Sequence, residues 1–224
     1  MDAAKLYSQI KTYANLDDTT ICHLHKSNPG QMCIGDTQNG CMMPSQTQVV
    51  DFDSVKVLFC KKNNISPQFD SVDAVTHKNQ LFLFVEIKSI ENIVEKELKY
   101  DKKIKKQIDN KISTTDKKEV VNRFIESKVK GFGLKEKIKD SIEICKGITN
   151  DGNLFSKIDF VYVLITDTDT LSNPMQQFQA HLNVLSYNAV KLKMESELKK
   201  EHLSVGHRNR YARCKEFDKF MSQL

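Results

Sequence analysis

Apolar positions recur at helical spacing at the start of the chain, where Ala3, Leu6, Ile10 and Tyr13 predict a helix over residues 2–15. The period then dissolves. Across residues 17–47, Asn-Pro-Gly, Asn-Gly and Met-Pro steps punctuate the chain, and an irregular loop is expected. Val55, Val57 and Phe59 alternate with polar neighbours, so residues 49–60 read as a strand, closed by Asn63, Asn64 and Pro67. Residues 69–77 and 80–89 read as two further strands joined tightly at Lys78-Asn79, an antiparallel hairpin. The run Leu81-Phe82-Leu83-Phe84-Val85 is apolar on both faces, which places the second of these strands in the middle of a sheet.

Beyond Ser89 the spacing turns helical. Ile93, Leu98, Ile104 and Ile108 suggest one helix, and residues 120–148 further helical segments broken near Gly131-Phe132-Gly133. Asp151-Gly152 marks a turn, residues 158–166 another buried strand, and Pro174 the opening of a helix that runs to about residue 200. A last helix is expected over residues 209–221. The order is helix, three strands, helical region, strand, helices. Without an internal repeat or a low-complexity linker, residues 1–224 read as a single domain.

Composition adds a polyanion to this picture. Hydrophobic residues make up 39% and charged residues 28% of 224, the balance of a folded soluble protein. The longest apolar runs have the length of buried strands, not of bilayer spans, and residues 1–10 lack the basic-then-apolar order of a signal peptide, so a cytoplasmic protein without membrane contact is expected. The net charge is +5, and residues 95–146 hold sixteen Lys or Arg against ten Asp or Glu. A basic helical region at 91–148 suits a phosphate-bearing partner, because Lys and Arg displace condensed counterions; a solvated, salt-bridged helix surface has the same composition.

The chemistry sits on the hairpin. Glu86 and Lys88, two apart on a strand, leave the same face. Asp73 lies six residues before Asn79 and Glu86 seven after it, so antiparallel pairing sets the two carboxylates side by side. Adjacent carboxylates on otherwise apolar strands repel in a low dielectric, and a divalent cation offsets that repulsion. Mg²⁺ or Mn²⁺ is expected, held by Asp73, Glu86 and the backbone carbonyl of Ile87, with Lys88 orienting the attacking water and offsetting transition-state charge. Asp70 is the rival first carboxylate, at a poorer spacing. A plain surface ion pair between Glu86 and Lys88 is the alternative, against which the apolar run before Glu86 argues.

These residues, Val72-Asp73-Ala74-Val75 followed by Phe84-Val85-Glu86-Ile87-Lys88, resemble the PD-(D/E)XK nuclease superfamily of restriction endonucleases and RecB-like exonucleases. The motif resemblance covers residues 69–89 and the topological one residues 2–166. It implies an α/β fold with a restriction-endonuclease-like core (helix, three strands, helix, strand), a mixed central sheet, and extra helices after the E-x-K strand and at the C-terminus. It also implies a metal-dependent nuclease hydrolysing phosphodiester bonds, in DNA before RNA, with catalytic residues Asp73, Glu86 and Lys88. The proline of the family name is absent before Asp73, and no Glu lies on the first helix, which puts a second metal site in doubt. A small lone nuclease domain resembles effectors of bacterial defence or mobile-element systems, for which a regulatory protein partner is expected. In that fold Lys99, Lys102, Lys103, Lys105 and Lys106 flank the cleft and would track a phosphate backbone. The alternative function is a catalytically lapsed nucleic-acid-binding or protein-interaction module.

Cys22, His23, His25, Cys33 and Cys41 fall within the 17–47 loop, but no pair has the C-x₂-C spacing of a zinc site, and incidental thiols and imidazoles are the simpler reading. His77, near the hairpin turn, is assigned no role.

Overall fold

The computed structural model describes residues 1–26, 45–88, 106, 110, 119–120, 123, 127, 130–166, 208–213 and 217–224, without the side chains of 25, 26, 135, 156, 166 and 208–213. The chain forms two compact units, the first built from Met1–Lys88, Lys135–Thr168 and Glu201–Leu224, the second from Ser89–Leu134 and Asp169–Lys200.

The first unit is α/β, built on one mixed sheet whose strands follow one another in space as they do in the chain. α1 (Ala3–Ala14) begins at Asp2, whose carboxylate accepts from Lys5 N at 2.8 Å, and ends at Asn15 in the left-handed region. β1 (Thr19–Thr20) and α2 (Ile21–Lys26) follow, then β2 (Gln48–Asp51) and α3 (Phe52–Lys62). β3 (Ala74–Lys78) and β4 (Leu81–Lys88) make the hairpin, with Lys78 opposite Leu81, so the turn is Asn79-Gln80, one residue later than expected. Asn79 takes φ 53° there. α4 (Leu134–Thr149) starts just after Gly133, which has φ 57°, and β5 (Asp159–Thr166), β6 (Arg208–Arg213) and α5 (Phe217–Gln223) complete the unit. β4 pairs antiparallel with β3 and parallel with β5, and β6 extends the sheet parallel to β5.

β4 is apolar on both faces because each face is covered. One face carries Leu83, Val85, Val161, Val163 and Ile165 against Ile21, Phe217 and Met221 from α2 and α5. On the other, Phe84 stands edge-on to Phe52 of α3 and to Phe160 of β5, and Phe155 adds a further ring. Burying such aromatic side chains dominates core energetics. α4 approaches α3 so closely at Gly147 that a Cβ there would lie 2.5 Å from the Phe59 ring.

Four expectations are corrected. Residues 49–60 are not one strand: only Gln48–Asp51 is, and the remainder is α3. Phe52, Val55, Phe59 and Cys60 are buried at helical spacing, Asp51 caps the helix through Ser54 N, and Val57 is left 47% exposed. The strand expected from residue 69 begins at Ala74, because the backbone of 70 and 72 bonds instead to side chains of α4. Residues 209–221 are a strand followed by a short helix rather than one helix. The described parts of 17–47 hold β1 and α2. The helices expected near residues 93–108 and 174–200 lie largely outside the described residues. Within the second unit, residues 106, 119, 120, 123, 127 and 130 are helical, and Arg123 pairs with Glu119 at 3.5 Å. No helix among the described residues is long and apolar enough to cross a membrane.

Candidate active site

Pairing of Ala74 with Val85 carries Asp73 opposite Glu86 at the mouth of the β3–β4 hairpin. Asp73 precedes the first strand residue and is fixed three ways. Its carbonyl accepts from Phe52 N at 3.1 Å, its Oδ2 accepts from Ile87 N at 2.6 Å, and its neighbour Val72 donates its N–H to Ser141 Oγ at 3.0 Å. With Oδ2 tied to the backbone, Oδ1 is left for other partners.

Glu86 is fully buried, the least accessible carboxylate of the described residues. Lys88 Nζ lies 2.5 Å from its Oε1. A second ammonium, from Lys137, lies 2.9 Å from the same Oε1 and 3.8 Å from Asp73 Oδ1. Oε2 has no partner among the described residues. Burial, and after it the charge of Asp73, pushes the Glu86 carboxyl up to about 7, against the pull of Lys88 and Lys137. For Lys137, burial would lower the ammonium, but Glu86, Asp73 and Asp53 outweigh it and raise the group above its ordinary value.

Lys137 was not among the residues singled out by sequence. It stands in the first turn of α4, one turn before Ser141, which is buried and holds Val72 N; residues four apart share a helix face. Asp140, on the same helix, accepts from Asp70 N at 3.0 Å. The helix is thus clamped along residues 70–72, and its first turn overhangs the two carboxylates. A signal existed: Lys137, three residues after Leu134 and four before Ser141, sets a charge on the helix face that buries Leu134, Ile138 and Cys145. Asp70, the rival first carboxylate, is exposed, and its backbone is used in that clamp.

Tyr162 was also missed. It pairs with Phe84 across β4 and β5, so it leaves the same sheet face as Glu86, one strand across and two residues back. Its hydroxyl is buried without a partner among the described residues, and burial, Glu86 and Asp73 together hold it protonated well above its ordinary value. His77 lies further along β3, opposite Phe82, its ring 5.0 Å from Tyr7.

Among the described residues the site therefore offers oxygen ligands, one of them a buried carboxylate oxygen without a partner there. Two carboxylates with a neighbouring carbonyl suit a hard divalent cation that keeps several waters. No group of three or more His, Cys, Asp and Glu able to hold a metal occurs among the described residues. Of the loop candidates for zinc, Cys22 is buried and accepts from Ser45 N, while the His25 side chain, Cys33 and Cys41 lie outside the described residues. Lys106 is exposed and helical; Lys99, Lys102, Lys103 and Lys105 lie outside the described residues. No protein-family model, curated protein or solved structure matches the chain.

Proposed function

We propose that the chain is a Mg²⁺- or Mn²⁺-dependent phosphodiesterase acting on DNA, with Asp73, Glu86, Lys88 and Lys137 at its centre. One observation carries the reading: a fully buried glutamate whose Oε2 has no partner among the described residues, set against a second carboxylate and two ammonium groups. A buried ionisable cluster is costly to desolvate, and such cost is concentrated at functional sites. The sheet order also supports it. An antiparallel β2–β3–β4 set with β5 parallel to β4, and α4 between β4 and β5, is compatible with the order that the resemblance implies, with β1, α2, α3, β6 and α5 in addition.

Asp73 Oδ1, Glu86 Oε2 and the Ile87 carbonyl would hold the cation. When bound, the cation supplies Lewis-acid polarisation of the phosphodiester. Lys88 holds the attacking water by hydrogen bond and offsets charge gathering on the phosphoryl oxygens. Phe84 and Tyr162, buried on the sheet face that carries Glu86, and Phe52 against Phe84 exclude bulk water there. Lysines of the second unit would bind the phosphate backbone. RNA is the weaker substrate, and control by a protein partner follows only by analogy with small nuclease domains.

A second reading has one observation in its favour. Two ammonium groups already balance two carboxylates, as they would in a domain that binds nucleic acid or protein without cutting. Plasmid and linear DNA incubated with Mg²⁺, Mn²⁺ or EDTA separate the two. Metal-dependent cutting by the wild type, lost in Glu86→Gln and Lys88→Ala, is the expected result; cutting that survives both substitutions would sink the assignment.

A further inference from the structure

Lys137 stands where a shared cation must stand. Its Nζ reaches Glu86 Oε1 at 2.9 Å and Asp73 Oδ1 at 3.8 Å, and it comes from a helix that also holds the Asp73 segment in place through Ser141. We propose that Lys137 is a displaceable counter-ion: its ammonium bridges Asp73 and Glu86 in the metal-free protein, and a divalent cation enters by driving it out toward the phosphate. The proposal rests on the divalent-cation reading above.

Charge and reach both favour displacement. With Asp73 and Glu86 ionised, Lys88 and Lys137 make the cluster neutral, and adding a divalent cation would leave an excess of two positive charges around a fully buried carboxylate. Uncompensated charge in such surroundings is expelled or neutralised. Lys137 is 17% exposed and sits on the first turn of α4, so four methylenes let its head swing to solvent without moving the helix. A phosphodiester beside the cation would then meet the freed ammonium. Lys137 thus weakens resting metal binding and couples it to substrate, so that a metal-free site stays neutral and closed and a loaded one presents an extra cation to the phosphate.

The test is Mn²⁺ binding to the full chain by titration calorimetry, without nucleic acid. Lys137→Met should bind Mn²⁺ at least about tenfold more tightly than the wild type, the direction that general damage to the site could not produce. Equal or weaker binding by Lys137→Met, with Glu86→Gln abolishing it, would overturn this inference and leave the metal site standing. No binding by wild type or variant would overturn both. Should Lys137→Met fail to fold, amine acylation of the wild type read by mass spectrometry decides. Lys137 should become several-fold more reactive on adding Mg²⁺, and not in Glu86→Gln; unchanged reactivity in the wild type at saturating Mg²⁺ would overturn the proposal.

Discussion

Glu86 costs the fold stability, and its pH dependence makes that cost measurable. Its carboxyl is raised from 4.5 to about 7 in the folded chain, so the folded state holds a proton that the unfolded chain releases. Stability from this group is fully present below pH 4.5 and is lost as pH rises through 7, to a total of about 3 kcal/mol. Glu86→Gln lacks this loss. In urea unfolding with EDTA, the variant should gain on the wild type between pH 4.5 and 8 by up to that amount, and a constant difference would refute it. Tyr162 follows the same logic with a hydroxyl. A buried donor without a partner carries its desolvation penalty, so Tyr162→Phe should raise stability by about 1 kcal/mol. A lower melting temperature would mean that the hydroxyl is satisfied in solution. That Asp73, Glu86 and Lys88 meet at one end of the hairpin was legible from sequence, because strand period and hairpin symmetry are local rules. Lys137 and Tyr162 were not, because a helix 50 residues on and the register of a parallel strand bring them in.

At the level of elements, the chain was read well where one period dominated and badly where two competed. α1, β4 and β5 follow from spacing alone, within a residue or two. Residues 49–60 mix both signals: Val55, Val57 and Phe59 alternate, while Phe52, Val55, Phe59 and Cys60 keep helical spacing, and the Asp51 cap decided in favour of the helix. β6 has no strand signature in Arg-Asn-Arg-Tyr-Ala-Arg; it exists because β5 offers it an open edge. Besides the packing of Phe217 and Met221, α5 is tied to the segment before β2 by one polar residue of its first turn. Asp218 accepts from Ser45 Oγ and Thr47 Oγ1 at 2.6 Å each and from Gln46 N at 2.8 Å, tying the far end of the chain to the entry of β2. Partial burial pushes the Asp218 carboxyl up, but these hydrogen bonds outweigh it and hold it below its ordinary value of 3.8. Their stabilisation is therefore complete above that value and fades as pH falls below it. Asp218→Ala should cost about 2 kcal/mol at neutral pH. Thr47→Val in the same chain should add less than its effect alone, since both substitutions remove the Thr47 Oγ1 hydrogen bond; full additivity in the double-mutant cycle would count against the clamp.

Charge divides the whole molecule more sharply than its sequence order does. The second unit carries sixteen Lys or Arg against eleven Asp or Glu, an excess of five, while the first carries eighteen of each. The entire net charge of +5 thus belongs to the unit without Asp73 and Glu86. On the proposed nuclease reading, the neutral unit with the buried carboxylate cluster would do chemistry at a single phosphate, and the basic unit would supply affinity for many. Counterion release makes that division testable, because log affinity falls with log salt by about 0.9 for each phosphate neutralised. Charge reversal of Lys102, Lys103 and Lys106 should weaken binding of duplex DNA about tenfold or more at low salt and flatten its salt slope by up to about 3. The Mn²⁺ affinity of the same variant should match the wild type, because none of its changes lies in the first unit. An unaltered salt slope would move the DNA contact elsewhere, with the basic stretch from Arg208 to Lys219 in the first unit as the next surface to reverse. A drop in Mn²⁺ affinity would show instead that the two units share one electrostatic field.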